Sequence, residues 1–175
     1  MEQVIKPLSG KKVLLGVTGS IAAYKAIQIV RNLTTAGSEV QVVLTDAASH
    51  FVPELPLQIL SKKSVYSKLF DLESPEVLHV SLATGFDLVL IAPATADFIA
   101  KMALGLADDL LSTLLLSTST PILIAPAMDL DMFQHPSTKA NLKKIQSYGN
   151  IIIPPDKGEL ASGLTGEGRM AEPQT

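Results

Sequence analysis

The 175-residue sequence contains no cysteine. That absence excludes disulfides, thiolate nucleophiles and cysteine metal sites, and nothing else in the chain suggests a bound metal. Positive charge is in short supply: 14 Lys and Arg against 17 Asp and Glu leave a net charge of −3, which argues against a broad nucleic-acid footprint. Met1 to Pro7 lacks the apolar stretch of a secretory signal, so the expected location is the cytoplasm. A membrane span is not expected either. Leu110 to Met128 is uncharged, but Ser112, Thr113, Ser117, Thr118, Ser119 and Thr120 interrupt it and Pro121 splits it into a helix and a strand. Two nucleotide signatures are missing as well. Val17 stands where a dinucleotide fingerprint of this spacing needs Gly, and no Gly-Lys-Ser/Thr follows to make a phosphate-loop NTPase.

What is present is a chain with 47% apolar and 18% charged residues, the balance of a globular domain rather than a disordered one. Its organising stretch is Lys11 to Lys25. The apolar run Val13–Val17 reads as a strand, Thr18-Gly19-Ser20 as a tight turn, and Ile21, Ala22, Ala23, Ala26, Ile27 and Val30 recur at helical spacing. Such a turn can offer backbone N–H groups and the Thr18 and Ser20 hydroxyls to an anion at a helix N-terminus; an ordinary strand–helix connection has the same local signature.

Further strands are expected at Glu39–Leu44, Asp87–Ala92, Ile122–Ala125 and Asn150–Ile153, with Leu78–Leu82 a short strand or edge turn. Helices are expected over Ser20–Ala36, Pro53–Leu60, Ala96–Leu104, Asp108–Leu116 and Phe133–Tyr148. Thr45–His50 reads as a polar turn, Lys62–Lys68 as a polar connection, and the Gly-rich tail from Asp156 as aperiodic. Alternation of strands and helices implies one α/β domain, a Rossmann-like (flavodoxin-like) parallel sheet with helices on both faces. The strong strands end in small or polar clusters: Gly19-Ser20, Thr45–Ser49, Pro93–Asp97 and Pro126–Asp129. In a parallel sheet all four fall on one edge, where ligands bind.

Four motifs occur in order: Gly16-Val-Thr-Gly-Ser-Ile-Ala-Ala-Tyr-Lys25, Ala92-Pro-Ala-Thr-Ala-Asp97, Ala125-Pro-Ala-Met-Asp129 and Gly166-Glu-Gly-Arg-Met170. Together they resemble the homo-oligomeric flavin-containing cysteine decarboxylases, over Lys11 to Pro173, and among these the phosphopantothenoylcysteine decarboxylase domains that form the N-terminal half of bifunctional coenzyme A biosynthesis proteins. The resemblance implies an N-terminal arm at 1–10, an FMN-binding domain at 11–155, and a substrate clamp with tail at 156–175. It implies FMN as cofactor, held by Gly19, Ser20 and Ile21, by Thr45 and Ala48, and by Ala94, Thr95 and Ala96. His79 matches the family's catalytic histidine, and an imidazole exchanges protons readily near pH 7. His50 and His135 have no such match. The implied substrate contacts are Met128, Asp129, Ala161, Ser162, Arg169 and Met170.

Two positions depart from the family pattern. Asp129 stands where relatives carry the Asn that holds the substrate carboxylate, and a carboxylate facing a carboxylate is repulsive; Asp129 also suits a helix N-cap. Ser162 stands where many relatives carry a Cys that protonates the intermediate, and a hydroxyl is a far weaker acid. Glu159 is the nearest other acid in the sequence.

The implied reaction is decarboxylation of 4'-phosphopantothenoylcysteine to 4'-phosphopantetheine. The alternatives are a peptidyl-cysteine-type oxidative decarboxylase releasing an enethiol, a non-catalytic FMN-binding regulatory flavoprotein, and a flavin prenyltransferase, whose pocket motifs match less well. The implied partners are further copies of the chain, as a trimer or a dodecamer of four trimers, and a covalent or separate ligase. Asp108–Leu116 and Pro53–Leu60 are the expected interface material.

Overall fold

The computed structural model describes residues 6–70 and 78–175. In chain order the elements are β1 Lys12–Val17, a 3-10 turn Ile21–Tyr24 running into α1 Lys25–Thr35, β2 Glu39–Leu44, α2 Asp46–Ser49, α3 Glu54–Ser61, α4 Leu78–Ser81, β3 Leu88–Ala94, α5 Ala96–Leu104, α6 Leu110–Ser117, β4 Ile122–Pro126, α7 Leu130–Gln134, α8 Pro136–Ser147, β5 Ile151–Ile152, β6 Asp156–Glu159 and β7 Thr165–Arg169. The first five strands form a parallel sheet in the order β2-β1-β3-β4-β5, the flavodoxin-like order, whose direction reverses between β1 and β3.

The strands read as continuous apolar runs because both of their faces are covered. Along β1 and β2, Leu15, Val17, Val42 and Leu44 pack toward Ala26, Val30 and Leu57 of α1 and α3. Leu14 and Val43 point the other way, toward Ile99, Leu111, Leu114 and Ile145 of α5, α6 and α8. Gly16 serves this second face: a Cβ there would come within 2.7 Å of Ile91 Cδ1 and Leu111 Cδ1, so its missing side chain is the room those groups occupy. Each fully buried Leu of α6 (Leu110, Leu111, Leu114) contributes about 1.5–3 kcal/mol. That helix therefore spends most of its apolar surface inside its own chain. Only Leu116 at its end is exposed, whereas Leu55 and Ile59 of α3 do face outward. Among the described residues no helix is long and apolar enough to cross a membrane.

Several boundaries differ from the sequence expectation. Leu78–Leu82 is neither strand nor edge turn: Leu78–Ser81 is a short helix with Leu78 buried among the second-face core. Phe133–Tyr148 is not one helix. Pro136 has no N–H and forces the preceding residue out of helical geometry, and His135 (φ −56°, ψ 135°) separates α7 from α8, its Nδ1 accepting from Ser137 N at 3.2 Å. Strand β3 continues past Ala92 through Pro93 to Ala94, with an irregular register against β4 that accommodates the missing donor. The polar turn after β2 closes as one helical turn, with Thr45 Oγ1 accepting from Ala48 N. Residues 6–10 are not loose, since Leu8 N donates to Ala36 O at 2.9 Å. The largest difference lies in the tail, where β6 and β7 form an antiparallel hairpin around Leu160–Leu164, with Gly163 at φ +83°.

Candidate active site

At the reversal between β1 and β3 the two strand ends are tied by one side chain. Buried Thr18 donates through Oγ1 to Pro93 O at 2.8 Å and accepts from Thr95 N at 3.0 Å. The Thr18 hydroxyl is thus consumed within the fold instead of facing an anion, which corrects the sequence reading. Ser20 Oγ accepts from Ala22 N at 3.2 Å, leaving its own proton available. Gly19 is required by proximity: a Cβ there would overlap Ala47 on the turn after β2.

Two cavities adjoin this edge. One, of about 500 Å³, is lined by Thr18, Gly19, Thr45, Asp46, Thr95 and Ala96, with Asp97, Lys101, Asp109 and Met132 among the rest. Thr95 caps α5 by accepting from Phe98 N, and the N–H groups of Ala96 and Asp97 precede the first intrahelical bond. The hydroxyls and free N–H groups here are donors that a phosphate can use at a helix start, and the carboxylates of Asp46, Asp97 and Asp109 line the same cavity. Lys101 is not a free cation, because it is shared among Asp108 at 3.0 Å, Asp97 at 3.6 Å and Asp109 at 3.7 Å. Burial works against its charge, but the hydrogen bond to Asp108 and the fields of all three carboxylates outweigh it and hold its pKa above the usual lysine value.

The second cavity, about 390 Å³, lies between the 3-10 turn, the loop after β4 and the hairpin. Ser20, Ile21, Met128, Asp129, Ala161, Ser162, Arg169 and Met170 all line it, as do Tyr24, Lys25 and Glu159. The hairpin is seated on the loop by a hydrogen bond from Met128 N to Gly168 O at 3.0 Å, and α7 lies against β7. Gly168, at φ +136°, has no room for a side chain, since a Cβ would overlap the Met128 carbonyl oxygen. At the hairpin tip, Ser162 Oγ donates to Asp129 Oδ1 at 2.6 Å. Asp129 occupies the N-cap position of α7 but caps nothing with its side chain; its carboxylate is turned to Ser162 instead.

The sequence reading missed Lys25. It sits on the apolar stripe of its helix, one turn after Ile21, and its ammonium is buried: Nζ donates to Met170 O at 3.0 Å and to Glu172 Oε1 at 3.1 Å. Glu172 also accepts from Arg169. The hydrogen bond from Lys25, followed by the fields of Lys25 and Arg169, holds the Glu172 carboxyl below its usual pKa despite some desolvation. A carboxyl depressed on folding stabilises above its unfolded value and loses that contribution as pH falls through the folded one. Glu172→Gln is therefore expected to melt below the parent at neutral pH and to converge with it as pH drops below about 4.5; a gap unchanged at low pH would refute the assignment.

Not every expected residue reaches a cavity. Ala48 and Ala94 are fully buried and contribute backbone only, Ala94 O accepting from Ala127 N at 2.9 Å. His79, half-buried on α4 against α6, lines neither cavity.

The family model described as Flavoprotein matches residues 2–175. The chain belongs to the Flavoprotein family. Relatives of this flavoprotein include the coenzyme A biosynthesis bifunctional protein CoaBC of Haemophilus influenzae, 46% identical over 95% of the chain and 42% of the relative, and that of Bacillus subtilis, 43% identical over 95% and 41%. The chain thus spans less than half the length of these curated relatives. Among solved structures, a cysteine-to-serine mutant of PPC decarboxylase complexed with pantothenoylaminoethenethiol aligns with a TM-score of 0.83 at 34% identity, covering 94% of this chain and 92% of that one. The FMN-dependent cysteine decarboxylase SpaF aligns at 0.82 with 29% identity, covering 91% of each.

Proposed function

We propose that this flavoprotein carries out the FMN-dependent decarboxylation of 4'-phosphopantothenoylcysteine to 4'-phosphopantetheine, in the cytoplasm, as a step of coenzyme A biosynthesis. The observation that carries the reading is the hairpin seated on the Pro126–Asp129 loop, which encloses a substrate-sized cavity beside a second, phosphate-suited one. The curated relatives named CoaBC and the PPC decarboxylase fold support it.

The donor set of the larger cavity fits FMN: hydroxyls of Thr45 and Thr95 and first-turn N–H groups at Ala96 would face its phosphate, with Gly19, Ser20 and Ile21 on the adjoining turn and Ala48 and Ala94 as backing. When bound, the flavin supplies an electron-pair acceptor that later returns the pair. Met128, Asp129, Ala161, Ser162, Arg169 and Met170 would orient the substrate beneath the hairpin. His79 would act as the acid–base group. Because it reaches neither cavity of its own chain, this role calls for a neighbouring copy, and a homo-oligomer, a trimer or a dodecamer of trimers, would supply one. The ligase that furnishes the substrate would be fused or separate.

Anaerobic incubation of FMN-loaded protein with 4'-phosphopantothenoylcysteine, read by mass spectrometry, is expected to yield 4'-phosphopantetheine. Ser162 in place of Cys favours a second reading, in which the product is an enethiol two hydrogens lighter; the serine mutant of PPC decarboxylase holds a compound of that class. Unchanged substrate alongside bound FMN would overturn both.

A further inference from the structure

The two positions at which this chain departs from the family pattern are bonded to each other. Ser162 Oγ donates to Asp129 Oδ1 at 2.6 Å, across the gap between the hairpin tip and the loop after β4, and both residues line the 390 Å³ cavity. We propose that Asp129 and Ser162 form a proton-delivery pair: Asp129 takes up a proton when a carboxylate substrate binds, and Ser162 passes it to the carbon that loses CO2. This inference rests on the decarboxylase reading given above.

Among the described residues that line the cavity, Asp129 and Ser162 are the pair bonded across its gap. Its two cations, Lys25 on α1 and Arg169 on β7, are both engaged by Glu172. Glu159 of the hairpin also lines it, Tyr24 borders it from the 3-10 turn, and Asp131 lies on the helix that Asp129 opens. Lys25 and Arg169 share the one Glu172 carboxylate, and Arg169 keeps guanidinium N–H groups for the substrate. A substrate carboxylate that enters against Asp129 still makes two carboxylates at one site, which hold one proton between them. The proton taken up on binding is the one the chemistry consumes, because a carboxylate plus a proton gives CO2 and a C–H bond. When the C–C bond breaks, its electron pair is left as the carbon–carbon double bond of an enethiolate, and the proton of Ser162 Oγ then adds to the carbon that lost CO2. The Asp129 O–H replaces that proton, leaving Asp129 a carboxylate to be recharged from solvent with the next substrate. A hydroxyl alone is too weak an acid to stand in for a thiol; in series with a carboxylic acid it only relays. The serine and the aspartate are thus a joint replacement, and neither is expected to work without the other.

The test uses FMN-loaded protein and the inert probe 4'-phosphopantothenoylalanine, which keeps the carboxylate and lacks the sulfur. Calorimetric titration at neutral pH in buffers of different ionisation enthalpy counts protons taken up. The parent is expected to take up about one proton per probe, and Asp129→Asn close to none while still binding. With the true substrate, Asp129→Asn and Ser162→Ala are each expected to shift product at least tenfold toward the enethiol, and Asp129→Asn/Ser162→Cys to restore 4'-phosphopantetheine. Flavin absorbance and melting temperature establish that each variant is folded. Probe binding without proton uptake by the parent, or a parental product ratio in Asp129→Asn, overturns the pair. A parent that neither binds the probe nor turns over substrate overturns the decarboxylase reading itself.

Discussion

Gly168→Ala is expected to detach the hairpin while leaving the parallel sheet folded. The substitution places a methyl group against the Met128 carbonyl oxygen at a backbone angle of φ +136°, where a side chain is strained as well as crowded. Strain and overlap together cost on the order of 3 kcal/mol, about a hundredfold in the docked population at roughly 1.4 kcal/mol per decade. The neighbouring bond from Met128 N to Gly168 O goes with it. Hydrogen exchange should accelerate over β6 and β7 and remain slow in β1 and β3, and CO2 release should fall by a similar hundredfold. Gly163→Ala is the matched control: it has positive φ but nothing within 4 Å of its Cβ, so a loss of about 1 kcal/mol is expected there. Parental exchange in the hairpin of Gly168→Ala would show that the loop gives way to the methyl group.

The second large effect is expected at Thr18. Thr18→Val preserves the shape of a buried side chain and removes its hydroxyl, stranding Thr95 N–H and taking one donor from Pro93 O. Orphaning this part-buried donor costs about 1 kcal/mol, the low end for a buried one, which in a domain of this size lowers Tm by roughly 2–4 °C. Because the freed N–H sits where Thr95 begins α5, the first turn facing the 500 Å³ cavity also loosens, so FMN affinity should drop about tenfold or more. Thr18→Ser, which keeps both bonds, should fall close to the parent in both measurements. Equal flavin affinity in all three proteins would mean that the strand tie does not position the turn.

The sheet and its flanking helices were legible because burial on both faces writes itself into the sequence as uninterrupted Val, Leu and Ile. The break at His135 was legible in principle as well, from Pro136, which cannot continue a helix from the residue before it. Leu78–Leu82 misled because five residues are too few to separate period 2 from period 3.6. The hairpin was hidden by glycine. Gly158, Gly163, Gly166 and Gly168 suppress any pattern of alternation, although a short Gly-containing turn between Glu159 and Thr165 carries the hairpin signal. At the site, motif order brought the right segments together, but pairings between segments left no trace in either one. Nothing at Asp129 announces Ser162, and nothing but a cation on an apolar stripe announces that Lys25 is seated by Met170 and Glu172.

That buried lysine also constrains the order in which the molecule can be assembled. Its carbonyl partner lies 145 residues later in the chain, so in a nascent polypeptide that has already folded β1 and α1 this ammonium is held by water until almost the whole domain has been synthesised. Closing so long a loop is slow. The wall of the small cavity that Lys25 shares with the hairpin is therefore among the last parts to set, and chains cut short before Met170 would keep a sheet but never a finished pocket.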